Sequence, residues 1–305
     1  MVTPMKRSLV VVADDGGADA ARDRGILECL DAGIVRNASV LANGPDAEAL
    51  AAELGRRPGV SVLLHLNLTE GMALAGPAST LTDPTGRFPG DKQAVWHRAH
   101  GGLLDPGEVE REAAAQVARL RALGLRPAGL NGHNHVHVLP GVREGLLRLM
   151  DRDRTLRWVR IPAEPEPPAS FSGCVAEPAM PCPERALDAV SQAMLRRGHT
   201  ALAALRVLAA ATVHGLPGRA RFADSFLGFA FACSGSREVL EEALRTVEGP
   251  VVELMVHPGR PAESGAGPFS RSPLRDLERQ VLCDPGFARF VREAGYEPRA
   301  VGEVA

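Results

Sequence analysis

Lysine is nearly missing from this chain: of 35 basic residues only Lys6 and Lys92 are lysines, which leaves 33 arginines. Beside so much Ala, Gly and Pro, that skew reads as GC-rich codon usage rather than as an arginine patch built for a polyanion. The net charge is −2, so there is no electrostatic footprint for nucleic acid or an anionic bilayer. No apolar run approaches the ~18 residues of a membrane span. The five cysteines (Cys29, Cys174, Cys182, Cys233 and Cys283) are scattered and contain no CxxC pair. A disulfide framework or zinc ribbon is therefore not expected, and the thiols read as buried or idle.

Several catalytic signatures are absent as well. Neither lysine stands in a GxxxxGK[ST] loop, no histidine is followed by Glu as in HExxH, and no GxSxG elbow occurs. Gly265–Gly267 belongs to a GAGP stretch stopped by Pro268, not to a dinucleotide fingerprint.

What is present is ordinary globular material: 305 residues, 45% apolar and 24% charged, enough for one large domain or two small ones. The apolar stretch Leu9–Ala13 is too short for a signal-peptide core and runs straight into acidic residues, so it reads as a buried strand of a cytoplasmic protein. From there the pattern repeats as strand, loop, helix. Strands are expected at Ser8–Ala13, Ser39–Leu41, Ser61–Leu68, Gly129–Leu139, Leu156–Ile161 and Val251–Val256. Helices are expected at Asp19–Ala32, Asp46–Leu54, Glu108–Leu123, Gly141–Met150, Ala186–Ala211 (broken near Gly198), Ser236–Val247 and across most of Leu274–Ala294. Residues 70–106 lack periodicity and read as a long loop or lid, and 162–183 as an irregular, proline-rich insertion. Alternating strands and helices imply a parallel sheet, and the number of units suits a closed or nearly closed barrel forming one domain over 1–305 better than two Rossmann halves, with its chemistry at the carboxyl ends of the strands.

Four polar clusters fall at those ends. Asp14 and Asp15 follow the first strand, His65 sits late in the third, His133, His135 and His137 lie on the fourth, and His257 closes VVELMV. Adjacent aspartates on a strand point to opposite faces, so one can hold a metal while the other takes a proton. Their bland alternative is a cap or Asx turn feeding Gly16–Gly17. At a period of two, Asn131, His133, His135 and His137 share one face, and alternate histidines present imidazoles to one metal. The spacing leaves open which of the three bind. One Asp and two His make a three-ligand open site, with a further Asp and His left over as base and acid for metal-assisted hydrolysis.

ADDGG (Ala13–Gly17), the Arg24–Gly44 block, LLHLNLTEG, NGHNHVHVLP, VRIP and ELMVHPG, in that order, resemble the YdjC-like carbohydrate deacetylases, the ChbG/HpnK family. The resemblance implies a distorted or incomplete, polysaccharide-deacetylase-like (β/α) barrel, a divalent cation (Zn2+ or Mg2+), and hydrolysis of the acetamide of a small N-acetylated sugar. Position by position it implies Asp15, His65 and His133 as metal ligands, Asp14 as base and His257 as the acid that protonates the leaving amine. His135 and His137 would line the site or orient ligands. Read from the residues themselves, Arg160 at a strand end serves equally as a grip on a sugar hydroxyl, carboxylate or phosphate or as a surface residue, and Trp96 in the lid as a stacking face for a pyranose or, more plainly, as core. Two positions depart from the family pattern: Gly16 stands where Phe is usual, and Asn131-Gly132 where Asp-Ser is usual. The Asn lacks the usual charge, and the missing Phe and Ser side chains are expected to enlarge the space beside the metal. A sugar- or metal-binding homologue without turnover is the alternative; glycoside hydrolysis by Asp14 with Glu253 is disfavoured because Glu253 lies inside an apolar strand. No partner is implied beyond the sugar; for the oligomeric state a homodimer is the working guess.

Overall fold

The computed structural model describes residues 6–165, 203–229, 236–262 and 272–304. Among these residues eight parallel strands form one sheet: β1 (Arg7–Gly16), β2 (Asn37–Val40), β3 (Ser61–Leu66), β4 (Pro127–Gly132), β5 (Trp158–Val159), β6 (Ser225–Leu227), β7 (Val251–Val256) and β8 (Tyr296–Pro298). The order is β5-β4-β3-β2-β1-β7-β6, with β8 pairing the start of β1 below β2. The sheet is curled. Arg221, just ahead of β6, bridges in parallel to Trp158 of β5 and exchanges backbone hydrogen bonds with Arg157 and Val159 at 2.7 and 2.9 Å. The two ends of the sheet thus approach each other around an interior.

The helices α1 (Ala20–Ala32), α2 (Ala47–Leu54), α3 (Lys92–His100), α4 (Pro106–Ala122) and α5 (Val142–Arg152) follow strands or their loops; residues 203–215 are also helical. Asp19 caps α1 by accepting from Ala21 N and Arg22 N, and Gly33 ends it at φ 90°, a left-handed turn that glycine adopts without strain. Strand β1 is apolar on both faces because each is covered. Leu9, Val11 and Ala13 belong to the large cluster beneath the helices, while Val10 and Val12 pack inward with Leu63, Trp158 and Val301.

Several expectations change. The fourth strand stops at Gly132 instead of Leu139; His133–Val138 is a 3-10 turn with Asn134 and His135 at φ 54° and 56°. The 70–106 segment contains helix α3. The helical expectation over 274–294 resolves into Pro273–Cys283 and Pro285–Glu293, because Pro285 cannot continue the first helix and begins the second. The short strands β6 and β8 carry too few residues to show periodicity. The expected insertion beyond residue 165 and the helix before residue 203 lie outside the described residues, as do Cys174, Cys182 and Cys233. Cys29 and Cys283 are free thiols with sulfurs 3.8 Å apart. Among the described residues no helix is long and apolar enough to cross a membrane.

Candidate metal centre

The site grows from a two-residue alternation. Because Val10 and Val12 face the interior of the curl, so does Asp14; Leu63 brings His65 with it, Trp158 brings Arg160, and on β7 Val251 is followed inward by Glu253. Asp14, His65, Arg160 and Glu253 are all at most 2% exposed. Buried charge of this kind persists only when paired. Arg160 supplies the pairing, contacting Asp14 Oδ1 at 3.0 Å and Glu253 Oε1 at 2.5 Å. Trp158 Nε1 also donates to Glu253, at 3.2 Å.

Asp15 breaks the alternation. The register between β1 and β2 slips between Ala13 and Gly16, and Asp15 takes φ 66°. At this bulge Asp15 turns into the same mouth as its neighbour, where a regular strand would have sent it to the other face. Asp15 Oδ1 then lies 3.3 Å from His65 Nε2 and 3.0 Å from His133 Nδ1, and the two imidazole nitrogens are 3.4 Å apart. Ligands about 2.05 Å from a tetrahedral cation would be separated by ~3.3 Å, so the triangle has the size of a metal face. All three donor atoms lie within 4.8 Å of one another.

Each of the three has a partner on its outer side. Arg275, on the helix Pro273–Cys283, donates to Asp15 Oδ2 at 2.7 Å, with Arg22 at 3.7 Å from the same oxygen. His65 Nδ1 donates to Asn131 Oδ1 at 2.7 Å, and His133 Nε2 lies 3.6 Å from Glu70 Oε1. Such outer contacts fix which nitrogen faces a cation. Burial alone would raise the Asp15 carboxyl, but His133, His65 and Arg275 outweigh it and hold it well below the usual range. Burial likewise pulls His133 down, yet Asp15 and Glu70 push it up to about 9. The pocket is negative enough to hold an imidazolium, and a cation bound there takes that proton's place.

The remaining charges are set by burial. Burial works to raise the Asp14 carboxyl, but Arg160 overcomes it and the group falls to about 2, ionised at neutral pH. Burial lowers His257 to about 4, which leaves it neutral. Its backbone N–H donates to Glu278 at 2.6 Å, and Arg275 Nη1 donates to its carbonyl at 3.3 Å. Helix Pro273–Cys283 therefore holds both Asp15 and the His257 loop.

A cavity of about 450 Å³ opens on this cluster, with Asp14, Asp15, His65, His133, His135 and His257 in its wall. Lys92, Gln93, Trp96 and His97 of α3 form its rim. His135 sits between Phe226 and Phe229, with ring centroids at 6.0 and 5.5 Å, and its buried Nδ1 has no partner among the described residues. Two expected contacts with ligand are not on this wall. His137 points to the far side, its Nε2 donating to the Arg160 carbonyl at 3.0 Å. Arg160 is 0% exposed and spent on Asp14 and Glu253. The shared-face expectation for His133, His135 and His137 fails because the strand has ended before the first of them. Nor does the expected extra space appear: a Cβ on Gly16 would meet Leu50 Cδ2 at 2.8 Å, away from the cavity, and one on Gly132 would meet His137 N and Nδ1 at 2.8 Å.

The sequence profile described as YdjC-like protein matches residues 8–293. The chain belongs to the YdjC-like family. It is 34% identical to the carbohydrate deacetylase of Mus musculus over 97% of this chain and 94% of that protein, and 33% identical to that of Homo sapiens over 97% and 90%. A chitooligosaccharide deacetylase of Serratia marcescens is 31% identical over 50% of this chain and 63% of its own. Among solved structures, one from Enterococcus faecalis V583, described as a candidate cellobiose-phosphate cleavage protein, superposes with a TM-score of 0.66 at 20% identity, covering 98% of this chain and 99% of the other. That likeness is one of fold. Sequence reasoning gave no role to Arg275, Glu278 or Glu70 and weighed Glu253 only as a glycosidase carboxylate. Signals existed for two of them: Glu70 lies within LLHLNLTEG, and Glu253 opens ELMVHPG, two residues along from an inward Val in a strand without other charge.

Proposed function

We infer that this protein is a metal-dependent carbohydrate N-deacetylase that hydrolyses the acetamide of an N-acetylated amino sugar or oligosaccharide. One observation carries the reading: Asp15, His65 and His133 converge to the spacing of a metal face in the wall of a cavity that also presents Asp14 and His257. The names of the relatives support the substrate class. A divalent cation held by those three residues supplies Lewis-acid polarisation of the acetyl carbonyl and lowers the pKa of water. Two imidazoles and one carboxylate suit Zn2+ by donor type, whereas Mg2+ prefers more oxygen.

The chain's own groups handle the protons. Water attacks the acetyl carbon, and Asp14, kept ionised by Arg160, accepts the proton that water loses. The C–N bond breaks to acetic acid and amine, the nitrogen gaining one proton in place of the one Asp14 took from water, so the Asp14–His257 pair ends each turnover at its resting charge. The acid then ionises to acetate, its proton passing to the amine. His257 rests neutral and so receives a proton before it delivers one to the nitrogen. Arg160 acts through Asp14, and His137 through the Arg160 backbone, neither touching the sugar. Trp96 offers a face for a pyranose ring, and His135 Nδ1, without a partner among the described residues, a hydrogen-bonding atom.

The test is acetate release from N-acetylglucosamine oligomers by the zinc-loaded protein, abolished in Asp14→Asn and His133→Ala. Stoichiometric metal uptake with no acetate from any N-acetyl sugar would reject the deacetylase and leave a binding protein.

A further inference from the structure

Asn131 is wholly buried on β4, next to the strand that carries His65. Its side chain has four polar contacts' worth of capacity and uses both ends. Oδ1 accepts from Ser39 Oγ at 2.6 Å and from His65 Nδ1 at 2.7 Å, while Nδ2 donates to Asp14 Oδ1 at 3.2 Å. These contacts assign the amide without ambiguity. The Asp14 carboxylate only accepts, so the nitrogen must face it; the oxygen on the other side then requires the proton of His65 on Nδ1 and frees Nε2. That Nε2 is the atom facing Asp15 and His133.

We propose that Asn131 is the positioning residue that joins the two halves of the site, fixing the metal-binding nitrogen of His65 with its oxygen and steadying the Asp14 carboxylate with its nitrogen. A carboxylate in its place could still accept from His65 and Ser39. It could not donate to Asp14, and it would put two like charges about 3.2 Å apart in a buried site. The uncharged residue is therefore not a loss of function at this position; donation to Asp14 requires it. The kinetic half of this proposal rests on the deacetylase reading, while the metal half does not.

The two ends are separable by substitution. Zinc affinity is measured by competition with a chromophoric chelator for wild type, N131A and N131D, with the melting temperature of each apo-protein as a check of folding. N131A removes the acceptor from His65 and is expected to bind zinc 10- to 100-fold more weakly. N131D keeps the acceptor and is expected to bind zinc at least as tightly as wild type, but with kcat for acetate release at least 10-fold lower and KM little changed. In apo wild type, side-chain 15N NMR is expected to find His65 protonated on Nδ1. A residue that merely filled space would not separate the variants in this way. Zinc affinity unchanged in N131A, or lowered as far in N131D as in N131A, overturns the proposal, as does wild-type kcat in N131D. If wild type binds zinc but releases no acetate, the deacetylase reading falls, and the affinities and the His65 tautomer still decide the role of Asn131 at the metal.

Discussion

Replacing Arg160 by methionine tests the charge arrangement at the centre of the curl. The side chain is 0% exposed and its guanidinium is shared between Asp14 and Glu253. Methionine fills similar length without charge, which leaves two carboxylates in a dry interior. Glu253 can escape by protonation, since burial already pushes it up in spite of Arg160. Asp14 bears the main cost. Removing one partner of a buried pair costs about 3–5 kcal/mol. Unfolding entropy of ~2.1 cal/mol/K per residue gives roughly 640 cal/mol/K for this chain, so the Tm should fall by about 5–8 °C at pH 7. The sign with pH follows from Asp14, whose folded value near 2 lies below its ordinary 3.8. Its contribution is complete above the ordinary value and is lost as pH falls through 2. At pH 3 roughly half of it remains, so the deficit of the variant should narrow there. Calorimetry of both proteins at pH 7 and pH 3 reads this directly. A variant as stable as wild type at pH 7, or a deficit that does not change with pH, refutes the reasoning.

Other outcomes follow from the same geometry. Stripping the protein with a chelator should abolish acetate release, and re-adding zinc at about a thousand times Kd should raise stability by roughly 4 kcal/mol, seen as a Tm shift. Asp23, buried and accepting from Gly17 N–H at 2.7 Å, is pushed up to about 7 chiefly by burial. A raised carboxyl gives stability that is present below pH ~4 and lost as pH rises to 7, with a ceiling of about 4 kcal/mol. Asp23→Asn keeps the acceptor without the titration, so urea midpoints of the variant should decline less than those of wild type between pH 4 and pH 8. Trp96→Ala should raise KM for a chitooligosaccharide several-fold at nearly constant kcat, because α3 forms the cavity rim and no proton passes through it; a fall in kcat alone would contradict that placement.

Much of the site was legible because a strand preserves a period of two. Val10, Val12 and then Asp14, or Leu63 and then His65, can be followed by counting. The polar residues ending apolar runs at four strand tips pointed to one mouth, and the family blocks named Asp15, His65 and His133 among them. The counting failed where the backbone left the strand. Asp15 reaches the mouth through a bulge, and the histidine triplet lies in a turn with two left-handed residues.

The sequence by itself determined the strand–helix order, the apolar interior and the residue types at the strand ends, because these depend on local periodicity and chemistry. Only the tertiary structure decided who neutralises whom. Arg160 looked available for a ligand and proved committed to Asp14 and Glu253, while Arg275 and Glu278, unremarkable on an amphipathic helix, hold Asp15 and His257 from outside. Partners such as Arg275 and Asp15 are 260 residues apart along the chain, and charges so distant meet only through the curl of the sheet and the packing of a helix against it, which no local pattern encodes.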